Sequence, residues 1–291
     1  MIAEPSALSA SADTLVRELE GAGLKLHGMD TLALFDDVLE LGIDGNVEAA
    51  RGAIDTVLHP ADMLLSHGKP VVPAVFVSDM DSTMIGQECI DELADFAGLK
   101  AQIADITERA MQGELDFAEA LTERVRLLGG LSEDAIQQCL AERIRPMPGA
   151  KTLVETLKAQ GCETVLVTGG FHQFADPVAE WLGFETVVGN RLATAKGQLT
   201  GGLVGDIVDS SVKERVLRDH VARRDGAPSL ATGDGANDIP MLVAADYGFA
   251  YHAKPKARAA ANGKIDRGDL TSVLKLLGIA ESEWVQAKSV R

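Results

Sequence analysis

The sequence predicts an α/β fold in which a doubly wound parallel sheet carries an inserted four-helix cap and a small N-terminal α+β domain. Short apolar, β-branched runs alternate with helical segments, which is typical of a parallel sheet with helices on both faces. Polar side chains follow three of these runs, where ligands bind in open α/β sheets. Four short helical segments follow the first run directly, which favours a cap over an ordinary crossover helix.

The composition excludes several classes of protein. The 291 residues are 46% hydrophobic, which suffices for one large core or for two to three units. A net charge of -17 without a Lys/Arg cluster argues against a nucleic-acid surface. No apolar stretch approaches the roughly 20 residues of a membrane span, and the N-terminus lacks the pattern of a signal peptide. The three cysteines are widely spaced and odd in number, which indicates reduced thiols in a cytoplasmic protein.

Residues 1–70 carry no chemical motif. Leu15, Val16 and Leu19 recur at helical spacing, and a second amphipathic helix is predicted from Asn46 to Leu58. Residues 59–70 are predicted to form a linker. We therefore expect an accessory domain over residues 1–70, serving regulation, dimerisation or structure alone, and a main domain over residues 71–291.

The first strand is predicted at Val71 to Val77 and is followed by two carboxylates, Asp79 and Asp81. Two adjacent carboxylates repel, so the pair favours a bound cation or a raised pKa on one member. An EF-hand calcium loop beginning at Asp79 is excluded, because Met84 stands at its sixth position and Ile90 at its twelfth.

After this strand the sequence predicts a helical cap inserted at about residues 86–147. Its segments have apolar residues at spacings of three and four and are separated by glycines. They are Cys89 to Phe96, Ala101 to Gln112, Phe117 to Leu128 and Glu133 to Arg143.

The remaining elements alternate as expected for a parallel sheet. They are a helix opened by Pro148 and closed by Gly161, a strand from Glu163 to Val167, a helix to Leu182, a hairpin from Thr186 to Val204, a helix from Ser211, strands at Ser229 to Thr232 and Tyr247 to Tyr251, and a C-terminal helical segment.

Two of these strands end in polar groups. Thr168 is followed by two glycines, which leave backbone N–H groups accessible to an anion. The strand at Ser229 to Thr232 leads to Asp234, Asn237 and Asp238. Taken by itself, this last group would also fit an Asx turn. Neither a dinucleotide fingerprint nor a P-loop is present.

Together these groups fit phosphoryl transfer, which needs a nucleophile, a divalent cation and donors for the developing charge. Asp79 can attack phosphorus to form an aspartyl-phosphate. Asp81 can protonate the leaving oxygen and later activate water. Thr168 and Lys213 can bind phosphate oxygens, and oxygen ligands of this kind suit Mg²⁺.

The motif set resembles the haloacid dehalogenase superfamily, and within it the phosphoserine phosphatases. The resemblance covers about residues 73–280 and does not reach residues 1–70, where we find no amino-acid-binding ACT pattern. The narrower resemblance rests on three segments, at residues 85–92, 107–117 and 251–256. The four superfamily motifs are Asp79-Met80-Asp81-Ser82-Thr83, Thr168-Gly169-Gly170, Lys213 and Gly233-Asp234-Gly235-Ala236-Asn237-Asp238.

The resemblance implies Mg²⁺-dependent hydrolysis of O-phospho-L-serine to L-serine and phosphate, the last step of serine biosynthesis. Asp79 would be the nucleophile and Asp81 the general acid/base. The metal would be held by the carboxylates of Asp79 and Asp234 and the backbone carbonyl of Asp81. Substrate-binding roles are implied for Glu88 (the ammonium), Arg124 (the carboxylate), Met111 and Phe117 (the cap side), and Thr168, Gly169, Lys213 and Asn237 (the phosphate), with Asp238 in support.

Three alternatives stay open at this point. A phosphatase acting on another small phosphomonoester would be favoured if Glu88 or Arg124 were replaced, and both are present. A non-catalytic amino-acid sensor acting through residues 1–70 would not need Asp79 and Asp81. Glu88 and Arg124 would also be explained by an ion pair within the cap. The sequence does not decide whether the protein is a homodimer.

Overall fold

The computed structural model describes residues 1–2, 5–32, 34–111 and 114–286, with only the backbone of residues 5–10 and 111. The strands are β1 Lys25–Thr31, β2 Leu39–Asp44, β3 Met63–Leu64, β4 Val75–Ser78, β5 Glu163–Phe171, β6 Thr186–Asn190, β7 Leu192–Ala195, β8 Gln198–Leu203, β9 Ser229–Gly233, β10 Tyr247–Tyr251 and β11 Gly263–Ile265. The helices are α1 Pro5–Gly21, α2 Val47–Leu58, α3 Cys89–Phe96, α4 Lys100–Met111, α5 Phe117–Leu127, α6 Glu133–Arg143, α7 Ala150–Ala159, α8 His172–Leu182, α9 Ser210–Arg223, α10 Ile239–Ala244, α11 Pro255–Ala260 and α12 Thr271–Leu276. Within these described ranges, no helix has the length and apolar character needed to cross a membrane.

The central feature is a seven-stranded sheet in the order β3-β11-β10-β9-β4-β5-β6. The strands from β11 to β6 run parallel, and β3 is antiparallel to β11. The chain order reverses between β4 and β9, which is the switch point where open α/β sheets bind ligands. The predicted α/β fold is confirmed.

Side-chain alternation along β4 divides the core into two layers. Phe76 packs with residues of α7, α8 and α12 on one face of the sheet. Val75 and Val77 pack with residues of α9, α10 and α11 on the other face. Successive side chains of a strand point to opposite faces, and both faces are covered by helices, so every residue of β4 is buried.

The four helices α3 to α6 form the cap between β4 and α7. The two chain segments that connect the cap to the core are hydrogen-bonded to each other. Gly86 N–H donates to Arg145 O (3.1 Å), and Met147 N–H donates to Met84 O (2.9 Å). Asp116 caps α5 through a capping box with Glu119. The predicted end of the second cap helix, Gln112, lies outside the described residues.

The N-terminal helices α1 and α2 pack on the two-stranded sheet β1–β2 around a separate apolar cluster. The predicted linker over residues 59–70 is wrong, because β3 lies within it and pairs with β11. The buried Asp62 carboxylate accepts hydrogen bonds from the backbone N–H groups of Asp266, Arg267 and Gly268. This segment is therefore part of the sheet's edge, and a domain boundary near residue 70 stays a prediction.

Two other predicted elements differ from the structure. Val71 and Val72 are 51% and 38% exposed, and the strand begins only at Val75. The predicted hairpin from Thr186 is also too long. Residues 186–190 instead form β6, which pairs parallel with β5, while β7 and β8 form the hairpin. Apolar alternation does not reveal which neighbour a strand pairs with.

Candidate active site

The predicted site residues converge beyond the carboxyl ends of β4, β5 and β9. They surround a cavity of about 140 Å³. The predicted residues that line it are Asp79, Asp81, Glu88, Phe117, Arg124, Thr168, Gly169, Asp234 and Asn237. Lys213 and Asp238 are buried behind Asp79. The side chain of Met111 lies outside the described part of the structure.

Asp79 directly follows the central strand and is held in place by backbone and side chain. Its N–H donates to Thr232 O of β9 (2.9 Å). Lys213 Nζ lies 2.6 Å from Asp79 Oδ1 and 2.7 Å from Asp238 Oδ1. Lys213, predicted as a phosphate ligand, thus connects two carboxylates here.

These contacts shift the pKa values of both partners. Burial raises the pKa of Asp79 well above its ordinary value, the charge of Asp238 raises it further, and Lys213 opposes both. Burial alone would lower the pKa of Lys213, but Asp79 and Asp238 raise it above its ordinary value. Lys213 therefore stays charged and stabilises the ionised form of Asp79, which the predicted role as a nucleophile requires.

Asp81 lies in a different environment. Burial raises its pKa to about 7, and the negative charge of Glu88 adds to this, while the Cys89 thiol and N–H oppose it. Its Oδ1 is buried and has no hydrogen-bond partner among the described residues. A carboxyl group with a pKa near neutrality can both give and take a proton, as the predicted acid/base role requires.

A cluster of three carboxylates, which includes Asp79, fits a metal ion. One oxygen from each of Asp79, Asp234 and Asp238 lies within 4.8 Å of the other two. Burial raises the pKa of Asp234 to about 6. The negative charge of Asp238 raises it as well, because neighbouring carboxylates repel each other. A cation would relieve that repulsion, and a hard oxygen donor set favours a hard divalent ion. Asp238, predicted only as a supporting residue, is thus a third candidate ligand.

The glycines around Asp234 are explained by close packing. A Cβ on Gly233 would lie 2.5 Å from Asp238 Cβ, and a Cβ on Gly235 would lie 2.3 Å from Asn237 Oδ1. Gly235 N–H donates to Asp238 Oδ2 (3.0 Å). At position 233 only glycine leaves room for the Asp238 side chain, whose carboxylate contacts Lys213.

The end of β5 provides the opposite wall. The buried Thr168 Oγ1 accepts a hydrogen bond from Gly170 N–H (2.9 Å). A Cβ on Gly170 would lie 3.3 Å from Asp81 Oδ2, and one on Gly169 would lie 3.3 Å from Phe117 Cζ of the cap. Side chains at these two positions would therefore narrow the space between the core and the cap.

Glu88 and Arg124 face the cavity from the cap and do not pair with each other. Glu88 accepts a hydrogen bond from Ser82 Oγ (2.8 Å). Arg124 Nε donates to Ala120 O (3.3 Å), and no carboxylate of the described chain comes within 4 Å of its guanidinium. Burial lowers the pKa of Arg124, while Asp91 and Glu88 oppose this. The interpretation as a cap ion pair is therefore not supported.

Sequence reasoning missed several lining residues. Lys254 lies after β10, its N–H donates to Asp234 O (3.0 Å), and its Nζ is 3.9 Å from Asp234 Oδ2. It falls within the segment at residues 251–256 on which the resemblance partly rests, so a signal was present. Ile90, Leu121 and Phe171 also line the cavity, and their spacing indicated only burial.

The chain is similar to a known family and to several known proteins. Residues 76–243 match the family of haloacid dehalogenase-like hydrolases. The chain is 41% identical over 237 residues to a phosphoserine phosphatase of Polaromonas, covering 79% of this chain and 98% of that protein. It is 44% identical over 212 residues to a phosphoserine phosphatase of Mycobacterium tuberculosis, covering 72% of this chain but only 51% of that protein, so it matches about half the length of that relative.

A solved structure is similar as well. It is a phosphoserine phosphatase with an analogue of its phospho-aspartyl intermediate, and it is 33% identical with a TM-score of 0.63. The match covers 72% of this chain and 99% of that one.

Proposed function

Because the chain belongs to the haloacid dehalogenase-like hydrolases, and among them to the phosphoserine phosphatases, we propose that it hydrolyses O-phospho-L-serine to L-serine and phosphate. The reaction is the last step of serine biosynthesis, and we assign it to the cytoplasm. The observation that carries the proposal is the separation of roles between two carboxylates. Asp79 is bound to Lys213, whereas Asp81 has a buried oxygen without a hydrogen-bond partner among the described residues, and burial raises its pKa to about 7.

The reaction proceeds in two displacements. A carboxylate oxygen of Asp79 attacks phosphorus, the bond from phosphorus to the serine oxygen breaks, and Asp81 gives its proton to that oxygen. Asp81, now ionised, takes a proton from water as the water oxygen attacks phosphorus. Phosphate leaves, Asp79 is restored as a carboxylate, and Asp81 is again protonated.

Asp79, Asp234 and Asp238 would hold Mg²⁺, together with the backbone carbonyl of Asp81. When bound, the ion neutralises charge on the phosphate oxygens. The phosphate-binding groups supplied by the protein would be Thr168, the backbone of Gly169, Lys213 and Asn237.

Glu88 and Arg124 would bind the serine part of the substrate. Phosphoserine carries an ammonium group that suits Glu88 and a carboxylate that an arginine binds with two parallel hydrogen bonds. Arg124 has a free guanidinium edge, since its one hydrogen bond to the described protein is made through Nε. Phosphate and carboxylate would thus be bound from opposite sides of the cavity.

The experiment that tests this is substitution of Arg124 with alanine. Arg124→Ala should strongly reduce kcat/KM for phosphoserine and barely change it for p-nitrophenyl phosphate, which has no carboxylate. Loss of a charged partner in a closed site costs about 2–5 kcal/mol, or roughly 30-fold to several thousandfold. The measurement is the ratio of kcat/KM on the two substrates.

Arg126→Ala is the matched control, because Arg126 lies on the same helix but is exposed to solvent. It should leave both activities near those of the wild type. An unchanged ratio in Arg124→Ala would remove the basis for phosphoserine as substrate. Activity on other phosphomonoesters alone would favour the alternative of a different small substrate.

Removal of metal is expected to abolish activity. Chelation by EDTA should stop phosphate release and Mg²⁺ should restore it, since three carboxylates crowd one position. Ca²⁺ should restore less, because its larger and looser coordination spoils in-line geometry. Full turnover in a chelated, metal-free sample would rule out the metal site.

A further inference from the structure

The hairpin β7–β8 links the core to the cap at a point far along the chain from the cap's own connections. Its turn is bonded to the segment between α5 and α6 by three backbone hydrogen bonds. These are Gly130 N–H to Leu199 O (2.8 Å), Leu199 N–H to Leu131 O (2.8 Å) and Glu133 N–H to Gly197 O (3.0 Å). The cap is therefore attached to the core at two places, by its two connecting segments and by this hairpin.

Two glycines make the contact close. A Cβ on Gly201 of β8 would lie 3.1 Å from Arg126 O and 3.5 Å from Gly129 Cα. A Cβ on Gly129 would lie 3.2 Å from Arg126 O and 3.5 Å from Gly201 Cα. The hairpin thus packs directly against the last turn of α5, the helix that carries Phe117 and Arg124.

The other end of the hairpin is fixed to the phosphate side of the cavity. The buried Asn190, which precedes β7, donates from Nδ2 to Gly169 O (2.8 Å) and accepts at Oδ1 from Val208 N–H (2.9 Å). Gln173 forms two hydrogen bonds with the backbone of Leu192, at 2.9 and 3.2 Å. The hairpin, together with Asn190 at the end of β6, therefore connects the backbone of Gly169 to the end of α5.

We propose that residues 192–203 set the distance between the phosphate-binding and carboxylate-binding ends of the active site, with Gly129 and Gly201 as positioning residues. The inference rests on the proposed function, because it concerns how phosphoserine is held at both ends. Neither glycine touches substrate. A side chain at position 201 would press on the Arg126 carbonyl at the end of α5 and move Arg124, but would leave Asp79 and Asp81 in place.

The test compares Gly201→Ala with Gly205→Ala. The two glycines have φ values of +81° and +82°, but a Cβ on Gly205 would meet no atom within 4 Å. Both substitutions cause the same backbone strain. Only Gly201→Ala also places a Cβ against the cap, at Arg126 O. Gly129→Ala is a milder variant without a positive φ, and serves if Gly201→Ala fails to fold. Its Cβ would be in ordinary contact with Gly201 (3.5 Å from Cα) and would lie 3.2 Å from Arg126 O of its own turn, so we expect a smaller loss of the same kind.

We expect Gly201→Ala to lower kcat/KM for phosphoserine by about 10- to 100-fold, mostly through KM, since small misplacements of a binding group have effects of this size. Activity on p-nitrophenyl phosphate should change less than about threefold. Gly205→Ala should change neither. In an Arg124→Ala background, Gly201→Ala should cause no further loss on phosphoserine, because the group it misplaces is already absent.

Parallel losses on both substrates, an equal effect of Gly205→Ala, or a full additional loss in the Arg124→Ala background would each overturn the positioning role. These results are distinct from failure of the proposed function, which would appear as a wild-type protein that releases no phosphate from phosphoserine and would remove both proposals.

Discussion

Asp79→Asn is expected to lower turnover by about a thousandfold or more while the protein stays folded. The amide is nearly isosteric with the carboxylate but is a poor nucleophile. Lys213 keeps its ion pair with Asp238 in this variant, so the buried lysine is not left without a counter-charge. Phosphate release and thermal melting are to be measured together, with mass spectrometry of the acid-quenched enzyme to detect a phosphoryl group on Asp79.

Asp62→Asn provides the contrast. Asp62 is also buried, but its carboxylate accepts backbone hydrogen bonds and one from Ser272 Oγ, away from the cavity. An amide nitrogen cannot accept these bonds, so this variant should melt at a lower temperature and retain turnover where it is folded. If Asp79→Asn kept turnover within tenfold of the wild type, the assignment of the nucleophile would be wrong.

Lys213→Met is expected to lower both stability and activity, and the loss of stability should depend on metal. Removing one member of a buried charge group typically costs about 3–5 kcal/mol. Asp79 and Asp238 would then face each other without a counter-charge, so the melting temperature should fall most in EDTA and partly recover with Mg²⁺. Turnover should fall by about 100-fold or more, since a preorganised donor at the phosphate is lost.

Lys264→Met is the control, because Lys264 is equally buried and also joins two carboxylates, Asp55 and Asp266. Both of these carboxylates keep Arg258 as a second positive partner, so the loss of stability should be similar with and without Mg²⁺. The folded fraction of this variant should turn over normally. Equal losses of melting temperature for Lys213→Met in EDTA and in Mg²⁺ would show that Lys213 does not act as the counter-charge of the metal site.

Much of the site was predictable because its groups lie at strand ends. Asp79, Thr168 and Asp234 each follow an apolar run, and parallel strands bring their carboxyl ends to one edge. What the sequence did not reveal is the pairing between distant groups. Lys213 lies on a helix, where a lysine is usually solvated, and its bonds to Asp79 and Asp238 depend on how α9 packs across the sheet.

In the fold, too, elements set by local sequence signals were predicted, whereas pairings between distant segments were not. The cap helices were predicted nearly to the residue, since amphipathic spacing and glycine breaks are local signals. In contrast, β3 has only two residues and lies among residues typical of a linker, so its pairing with β11 was missed. The assignment of Thr186 to the hairpin failed for a related reason, since pairing partners are chosen by tertiary contacts.

β3 has a consequence for association between chains. It covers the backbone of β11 along Gly263 and Lys264, where the parallel sheet would otherwise end in an open strand. Uncovered strand edges are templates for pairing with other molecules. A fragment starting at residue 71, where the composition suggests that the phosphatase begins, would retain every catalytic group but expose that edge. We therefore expect β3 to shield this edge from pairing with other chains.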